Sequence, residues 1–171
     1  MKRISALLVF TFYSSICLAQ PKESILKSQA LDMGKAMVAG DSRSFAKYML
    51  PELITVGGGT DKVVHMMDSM FVMLEGFGGE VKKITYGNPG KIIKFNKELQ
   101  TTLPQTTEIT SSIADIILTS TLVAISRDNG NNWYFLDPSM NRAEQLKGKL
   151  PPISPELKVP PPQPKLIPKE Q

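Results

Sequence analysis

The one histidine of the chain lies three residues before an aspartate, in a segment whose apolar residues recur with helical spacing. His65 and Asp68 would share one face of such a helix, because residues three apart are neighbours on its surface. A carboxylate that orients an imidazole is an arrangement used in general-base catalysis. The sequence places no nucleophile or third group beside them, so a surface pair or a packed histidine is the simpler interpretation. No catalytic residue is assigned, and His65 and Asp68 are the candidates to examine.

Three consecutive glycines, Gly57 to Gly59, precede the same helix, as a phosphate-binding loop would. The run lacks the Lys-Ser/Thr ending of a P-loop and the spacing of a dinucleotide-binding fingerprint. A flexible turn into the helix is therefore the better interpretation.

Metal binding is also disfavoured, because zinc sites draw mostly on histidine and cysteine. The chain has one of each, and Cys17 lies in an amino-terminal segment that we expect to be removed. We therefore expect no metal ion and no cofactor.

That amino-terminal segment has the parts of a secretion signal. Lys2 and Arg3 are followed by an apolar run over residues 6–12, and small side chains at the end favour cleavage between Ala19 and Gln20. We predict a signal peptide over residues 1–19 and a mature protein that is secreted or periplasmic. The apolar run is much shorter than the roughly 20 residues of a membrane-spanning helix, so no transmembrane segment is expected.

The charges beyond the signal are interspersed and nearly balanced. Two of the 20 basic residues fall in the signal, which leaves a small excess over the 16 acidic ones. Nucleic-acid binding needs a concentrated basic stripe, so no nucleic-acid partner is expected.

Three helices are predicted to come first in the mature chain. Apolar spacing and Gly40 indicate one helix over residues 24–39, and Asp41 or Ser42 can cap a shorter second helix that Pro51 ends. Leu53 to Val56 is short and β-branched, which predicts a brief strand. The third helix begins at Thr60 or Asp61 and is apolar nearly all round, as expected for a helix that packs on a sheet and on other helices.

The rest of the domain is predicted to be an antiparallel meander of strands. Alternation and turn residues place strands over residues 81–86, 91–95, 98–110, 113–126 and 132–136. Pro104 indicates an edge or a bulge in the third of these strands, and Asp128-Asn129-Gly130 predicts a tight hairpin turn. The fold class is α+β.

The hairpin pattern Ser-x-Asp-x-Gly-x-x-Trp, from Ser126 to Trp133, resembles the Asp-box of sialidases and related propellers. A propeller would need several repeats, and this pattern occurs once, with Asn132 in place of the usual threonine. We interpret it as a turn in which Ser126 and Asp128 bind backbone amides and the tryptophan packs below.

Proline recurs from Pro151 to Pro168, with lysine and glutamate in between. Such a composition predicts a disordered, extended tail over residues 151–171. A spacer or a tether to the cell envelope is the alternative to an inert end.

The order of helices and strands resembles the nuclear transport factor 2-like superfamily. The resemblance includes Gly40-Asp41 between the first two helices and Pro51-Glu52 before the predicted short strand. The segment from Glu98 through Trp133 to Asp137 is similar to uncharacterised secreted bacterial proteins of that fold. The resemblance implies a cone-shaped, cystatin-like domain over residues 20–150, in which three N-terminal helices pack on a curved antiparallel sheet.

In isomerase-like members of that superfamily the sheet and helices enclose an apolar pocket with a working carboxylate. The resemblance makes Asp68 or Asp115 the candidate carboxylate. It also implies a set of ligand-binding candidates, for which core packing is the alternative: Tyr48, Met67, Tyr86, Trp133 and Phe135.

Three functions stay open at this point. The first is non-catalytic binding of a small apolar ligand or of a partner such as an envelope protein. The second is a small isomerase, dehydratase or cyclase that uses one pocket carboxylate. The third is a structural homodimer, which predicts a filled interior and an apolar patch on the outer face of the sheet.

Overall fold

The computed structural model describes residues 22–138 and 148–169, and the predicted signal peptide lies outside them. Four helices come first: α1 (Lys22–Val38), α2 (Ser42–Ala46), α3 (Pro51–Val56) and α4 (Thr60–Gly76). Six strands follow: β1 (Glu80–Tyr86), β2 (Ile93–Phe95), β3 (Glu98–Thr110), β4 (Ala114–Ser126), β5 (Tyr134–Leu136) and β6 (Gln163–Pro168). The predicted α+β class is confirmed, since helices precede a curved, open antiparallel sheet.

The sheet is built around the long β3–β4 hairpin. Its order is β1-β3-β4-β5, and β2 also pairs with β3 while β6 also pairs with β4. Pro104 therefore lies in a central strand, but its carbonyl accepts a hydrogen bond from Gly87 N at 2.9 Å, just beyond the end of β1. The N and O atoms of one strand residue point to the same side of the strand. The nitrogen of Pro104, which carries no hydrogen, therefore faces the break between β1 and β2, where proline is tolerated.

Helix α1 covers one face of the sheet with residues spaced by one and two turns. Leu26, Ala30 and Met33 are buried against Leu122 and Ala124 of β4. The face of the sheet that carries Leu122 and Ala124 is called the inner face below. Side chains alternate along a strand, so Val123 and Ile125 belong to the outer face.

The segment predicted as a short strand, Leu53 to Val56, is instead part of helix α3. Pro51 occupies the first turn of this helix, where its fixed φ angle is favourable and its missing N–H costs nothing. The hydroxyl of Thr55 donates to the carbonyl of Pro51 at 3.0 Å. A proline in the first turn therefore favours a helix here, against the strand propensity of Leu53 to Val56.

Helix α4 is far more exposed than its composition predicts. Only Val63 and Met67 are buried, while Met66, Val72 and Met73 lie mostly in solvent, with Val72 68% exposed. The predicted packing of this helix on a sheet and on other helices is present, but it leaves several apolar side chains of the helix in solvent. Its packing partners are α2, α3 and β1, and no described element covers its outer side.

The prediction that residues 151–171 are disordered is wrong for the described part of that segment. Four of its apolar side chains pack over the outer face on Leu50, Val123 and Ile125: Leu150, Ile153, Leu157 and Val159. Strand β6 then pairs antiparallel with residues 114–119 of β4. The prolines fit because β6 is an edge strand, in which residues without an N–H are tolerated.

Side-chain hydrogen bonds hold this carboxy-terminal segment at two further points. Gln100, which is 0% exposed, donates to Pro152 O at 3.0 Å and accepts from Ser154 N at 2.9 Å. At the far end, Lys169 Nζ lies 3.0 Å from the carboxylate of Asp115.

Within residues 22–138 and 148–169, no helix is long and apolar enough to cross a bilayer.

Candidate functional site

An apolar cavity of about 360 Å³ lies between the helices and the inner face of the sheet. Of the eighteen described residues that line it, fifteen are apolar, and five of those are methionine. The apolar residues are Met33, Met37, Phe45, Met49, Met70, Phe71, Met73, Leu74, Phe77, Val81, Ile84, Ile109, Leu118, Leu122 and Phe135. The polar lining residues are Gln105, Thr107 and Asp137.

The sheet supplies the floor of the cavity and α4 supplies one wall. Residues an even number of positions apart along a strand share a face. This is why Thr107 and Ile109 of β3 both line the cavity, as do Leu118 and Leu122 of β4. The carboxy-terminal half of α4 contributes the wall through Met70, Met73 and Leu74. The methionines are adaptable side chains that can adjust to the shape of a bound molecule.

Of the five ligand-binding candidates, the structure places Phe135 in the cavity lining. Trp133 is 1% exposed and donates from its indole N–H to Gly130 O at 3.1 Å, below the hairpin turn. Met67 is buried in α4 outside this lining. Tyr48 lies in a shallow depression beside Asp32 and Lys47, and burial followed by the charge of Asp32 raises the pKa of its hydroxyl.

Tyr86 begins a row of polar side chains that crosses the inner face. It pairs with Gln105 of β3, which in turn pairs with Ser120 of β4. The hydroxyls of Tyr86 and Ser120 are buried and have no hydrogen-bond partner among the described residues. Burial raises the pKa of the Tyr86 hydroxyl. These three residues are called the polar row below.

The catalytic candidates His65 and Asp68 lie on α4 and are both exposed. In the described part of the chain no hydrogen bond or ion pair joins their side chains, and neither residue lines the cavity. Asp115 is also elsewhere: hydrogen bonds from Thr110 and Lys169 lower the pKa of its carboxyl. The structure thus does not bring these three residues together.

The carboxylate in the cavity lining is Asp137, which sequence analysis did not single out. Its signal was present, because Asp137 lies two residues after Phe135 and directly after the last residue of β5. In an extended chain that spacing puts both side chains on one face. Only the fold shows that this face meets the cavity.

The Ser126 to Trp133 hairpin has the structural role that its pattern predicts. Asp128 Oδ1 accepts from Asn131 N at 3.1 Å, Asn132 N at 2.9 Å and the Ser126 hydroxyl at 2.9 Å. Burial alone would raise the pKa of Asp128, but the hydrogen bonds from Asn132, Ser126 and Asn131 outweigh it and lower this pKa. The carboxylate organises the turn and is not available for chemistry.

A second group of charged side chains joins the hairpin to α3 and β3. Arg127 donates to Glu52 at 2.5 Å and to Glu98 at 2.7 Å. Glu98 also accepts from Gln100 at 3.1 Å, which connects this group to the carboxy-terminal segment. The arrangement ties four parts of the chain together, and sequence spacing gives no sign of it.

No group of three or more His, Cys, Asp or Glu residues that could hold a metal ion occurs in the part of the chain that the structure describes. No protein-family model, curated protein sequence or solved structure matches the chain. The fold and site therefore define an α+β protein with an apolar, methionine-rich cavity.

Proposed function

We propose that this protein binds a small apolar molecule in the cavity, without catalysing its conversion. One observation carries the proposal: a space of about 360 Å³ whose described lining consists of fifteen apolar residues and three polar ones. Small-molecule sites are typically clefts of roughly 300–1,000 Å³ with mostly apolar walls and a few polar groups. When an apolar ligand enters such a cavity, apolar surface of both the ligand and the protein is removed from water, which favours binding.

An isomerase-type or dehydratase-type reaction would require a carboxylate close to a hydrogen-bond donor. Asp137 and Gln105 both line the cavity, but Asp137 follows β5 and Gln105 belongs to β3, with β4 between them. Two strand spacings separate them by roughly 10 Å. This separation argues against Asp137 and Gln105 as a working pair of acid and donor.

We also propose that the protein is secreted or periplasmic and belongs to the nuclear transport factor 2-like superfamily. Lys2, Arg3 and the apolar run that follows support the first part. Cleavage before Gln20 would leave α1, which begins at Lys22, intact. The order of helices before a curved, open antiparallel sheet supports the second part.

Fluorescence of a neutral apolar probe, N-phenyl-1-naphthylamine, tests whether the cavity binds apolar molecules. We expect saturable fluorescence with the native protein and a loss of at least tenfold in probe affinity for Leu118→Trp, which places a large ring on the cavity floor. Ile117→Trp is the matched control, because Ile117 is the adjacent residue of β4, is similarly half-buried and points to the opposite face.

Equal probe binding by both variants would contradict the proposed site. Native mass spectrometry of protein purified from its own source adds an independent measurement. A chain that begins at Gln20 and retains an apolar molecule supports secretion and ligand binding together. A ligand-free dimer would instead assign the protein a role in protein–protein interaction, and a chain that retains residues 1–19 would contradict the proposed secretion.

A further inference from the structure

The polar row carries two buried hydroxyls on the inner face of the sheet. Ser120 is only 4% exposed, and neither its hydroxyl nor that of Tyr86 has a hydrogen-bond partner among the described residues. Buried polar groups are nearly always hydrogen-bonded in native proteins, and each exception requires an explanation. A bound molecule that supplies the missing partner is one such explanation.

The polar row adjoins the cavity floor. Ser120 lies between Leu118 and Leu122 on the same face of β4, and both of those residues line the cavity. Gln105, the central member of the row, lines the cavity itself, and its amide already donates to Thr107 at 3.2 Å. Ser120 itself does not line the cavity, so a ligand group reaches its hydroxyl only if neighbouring side chains move, and methionines are the lining side chains best able to adapt.

The charge of the lining limits the kind of group that can bind there. Among the described residues that line the cavity, none is Lys, Arg or His, and Asp137 is the only ionisable one. An anionic ligand would therefore lose its hydration without gaining a counter-charge from these described residues. Hydroxyl and amide groups, by contrast, satisfy an uncharged oxygen without a charge penalty.

From this geometry we infer that the ligand is an uncharged apolar molecule with one hydroxyl or carbonyl group, which hydrogen-bonds to Ser120 in the polar row. The inference rests on the proposed function, because it names the chemical class of molecule that the cavity binds. Ser120 is then a specificity-determining residue: it contributes to affinity only for ligands that carry the oxygen.

Displacement of the same neutral probe by eight-carbon compounds tests this assignment. The series is 1-octanol, 1-chlorooctane, which has a similar shape and is a poor hydrogen-bond partner, and octanoate at pH 8. We expect the ratio of octanol affinity to chlorooctane affinity to fall by roughly two- to twelve-fold in Ser120→Ala, the range for one neutral hydrogen bond. We also expect octanoate to bind the native protein at least tenfold more weakly than octanol.

Ser42→Ala is the matched control, because Ser42 is the other serine whose buried hydroxyl has no partner among the described residues, and it lies outside the cavity lining. This variant should leave the octanol-to-chlorooctane ratio unchanged. An unchanged ratio in Ser120→Ala would overturn the inference. If Ser120→Ala fails to fold, octanoate binding as tight as octanol binding in the native protein would overturn it.

The outcomes separate the inference from the function on which it rests. Probe binding that is displaced equally by all three compounds overturns the inference and leaves the proposed binding function intact. A native protein that binds neither the probe nor any of the compounds overturns both.

Discussion

Replacing Gln100 by alanine tests whether the carboxy-terminal segment is held against the sheet as the structure shows. The Gln100 side chain is fully buried and makes hydrogen bonds to Pro152 O and Ser154 N. Both partners lie more than fifty residues away along the chain. The variant removes both bonds, together with the bond that Gln100 donates to Glu98, without adding bulk.

The expected loss follows from these bonds. Each net hydrogen bond contributes about 1 kcal/mol, and a buried group left without a partner costs about 1–3 kcal/mol more. Ser154 is almost fully buried, so its N–H would be such a group. We expect the free energy of unfolding to fall by about 3–5 kcal/mol, from about 2 kcal/mol for the two bonds to the segment and about 1–3 kcal/mol for the Ser154 N–H, which is a large part of the 5–15 kcal/mol typical of a domain. Detachment of the segment sets the upper limit, because its polar groups would then return to water.

Urea unfolding monitored by the fluorescence of Trp133, the one tryptophan, measures this loss. Trypsin cleavage at Lys158 and Lys165 reports detachment of the segment directly and should accelerate in the variant. Gln105→Ala is the matched control, because Gln105 lies in the same strand, is partly exposed and makes one side-chain bond at 3.2 Å. If Gln100→Ala and Gln105→Ala unfold within about 0.5 kcal/mol of each other and are cleaved at equal rates, the docking described here is refuted.

Two further predictions concern single ionisable groups. Asp128→Asn should lower stability by about 1–2 kcal/mol in urea unfolding at pH 7, since it weakens several charge-assisted bonds in the hairpin. The pKa of Asp128 lies below its ordinary 3.8. The stability that this carboxylate contributes is therefore present above pH 3.8 and is lost as the pH falls through the lowered pKa. Equal acid sensitivity of the variant and the native protein would contradict this. Tyr86→Phe should be as stable as the native protein, or more so, at pH 7, because it removes a buried hydroxyl without a partner. The pKa of Tyr86 is raised above its ordinary 10.0, so native stability falls as the pH rises past 10, and the variant should lack this part of the loss in parallel unfolding at pH 7 and pH 11.

Much of the secondary structure could be predicted from local patterns. The bounds predicted for β3 match those observed, and the Asp128-Asn129-Gly130 turn forms with positive φ at Asn129 (63°) and Gly130 (95°). Such backbone angles are local properties of these residue types, and so is the binding of turn amides by an aspartate. The role of the Ser126 to Trp133 pattern was predictable for the same reason.

The sequence contains one sign that the carboxy-terminal segment is ordered, although the composition of that segment suggests disorder. Leu122 to Ile125 is a continuous apolar run, whereas a strand with one solvated face alternates between apolar and polar residues. Such a run requires cover on both faces. The helices cover the inner face, and Leu150, Ile153 and Val159 supply the cover on the outer face. Proline content suggests disorder because it describes the segment alone and does not reflect the need to cover the outer face of β4.

Local patterns were enough to predict the helical spacing of α1, the strand alternation and the turn at Asn129-Gly130. Other features of the protein depend on residues far apart in the chain. The cavity combines α1, α4 and four strands, Asp137 reaches it only through the position of β5, and the polar row exists only because β1, β3 and β4 pair in one register. Local patterns cannot specify such sites, because register and packing place distant side chains together.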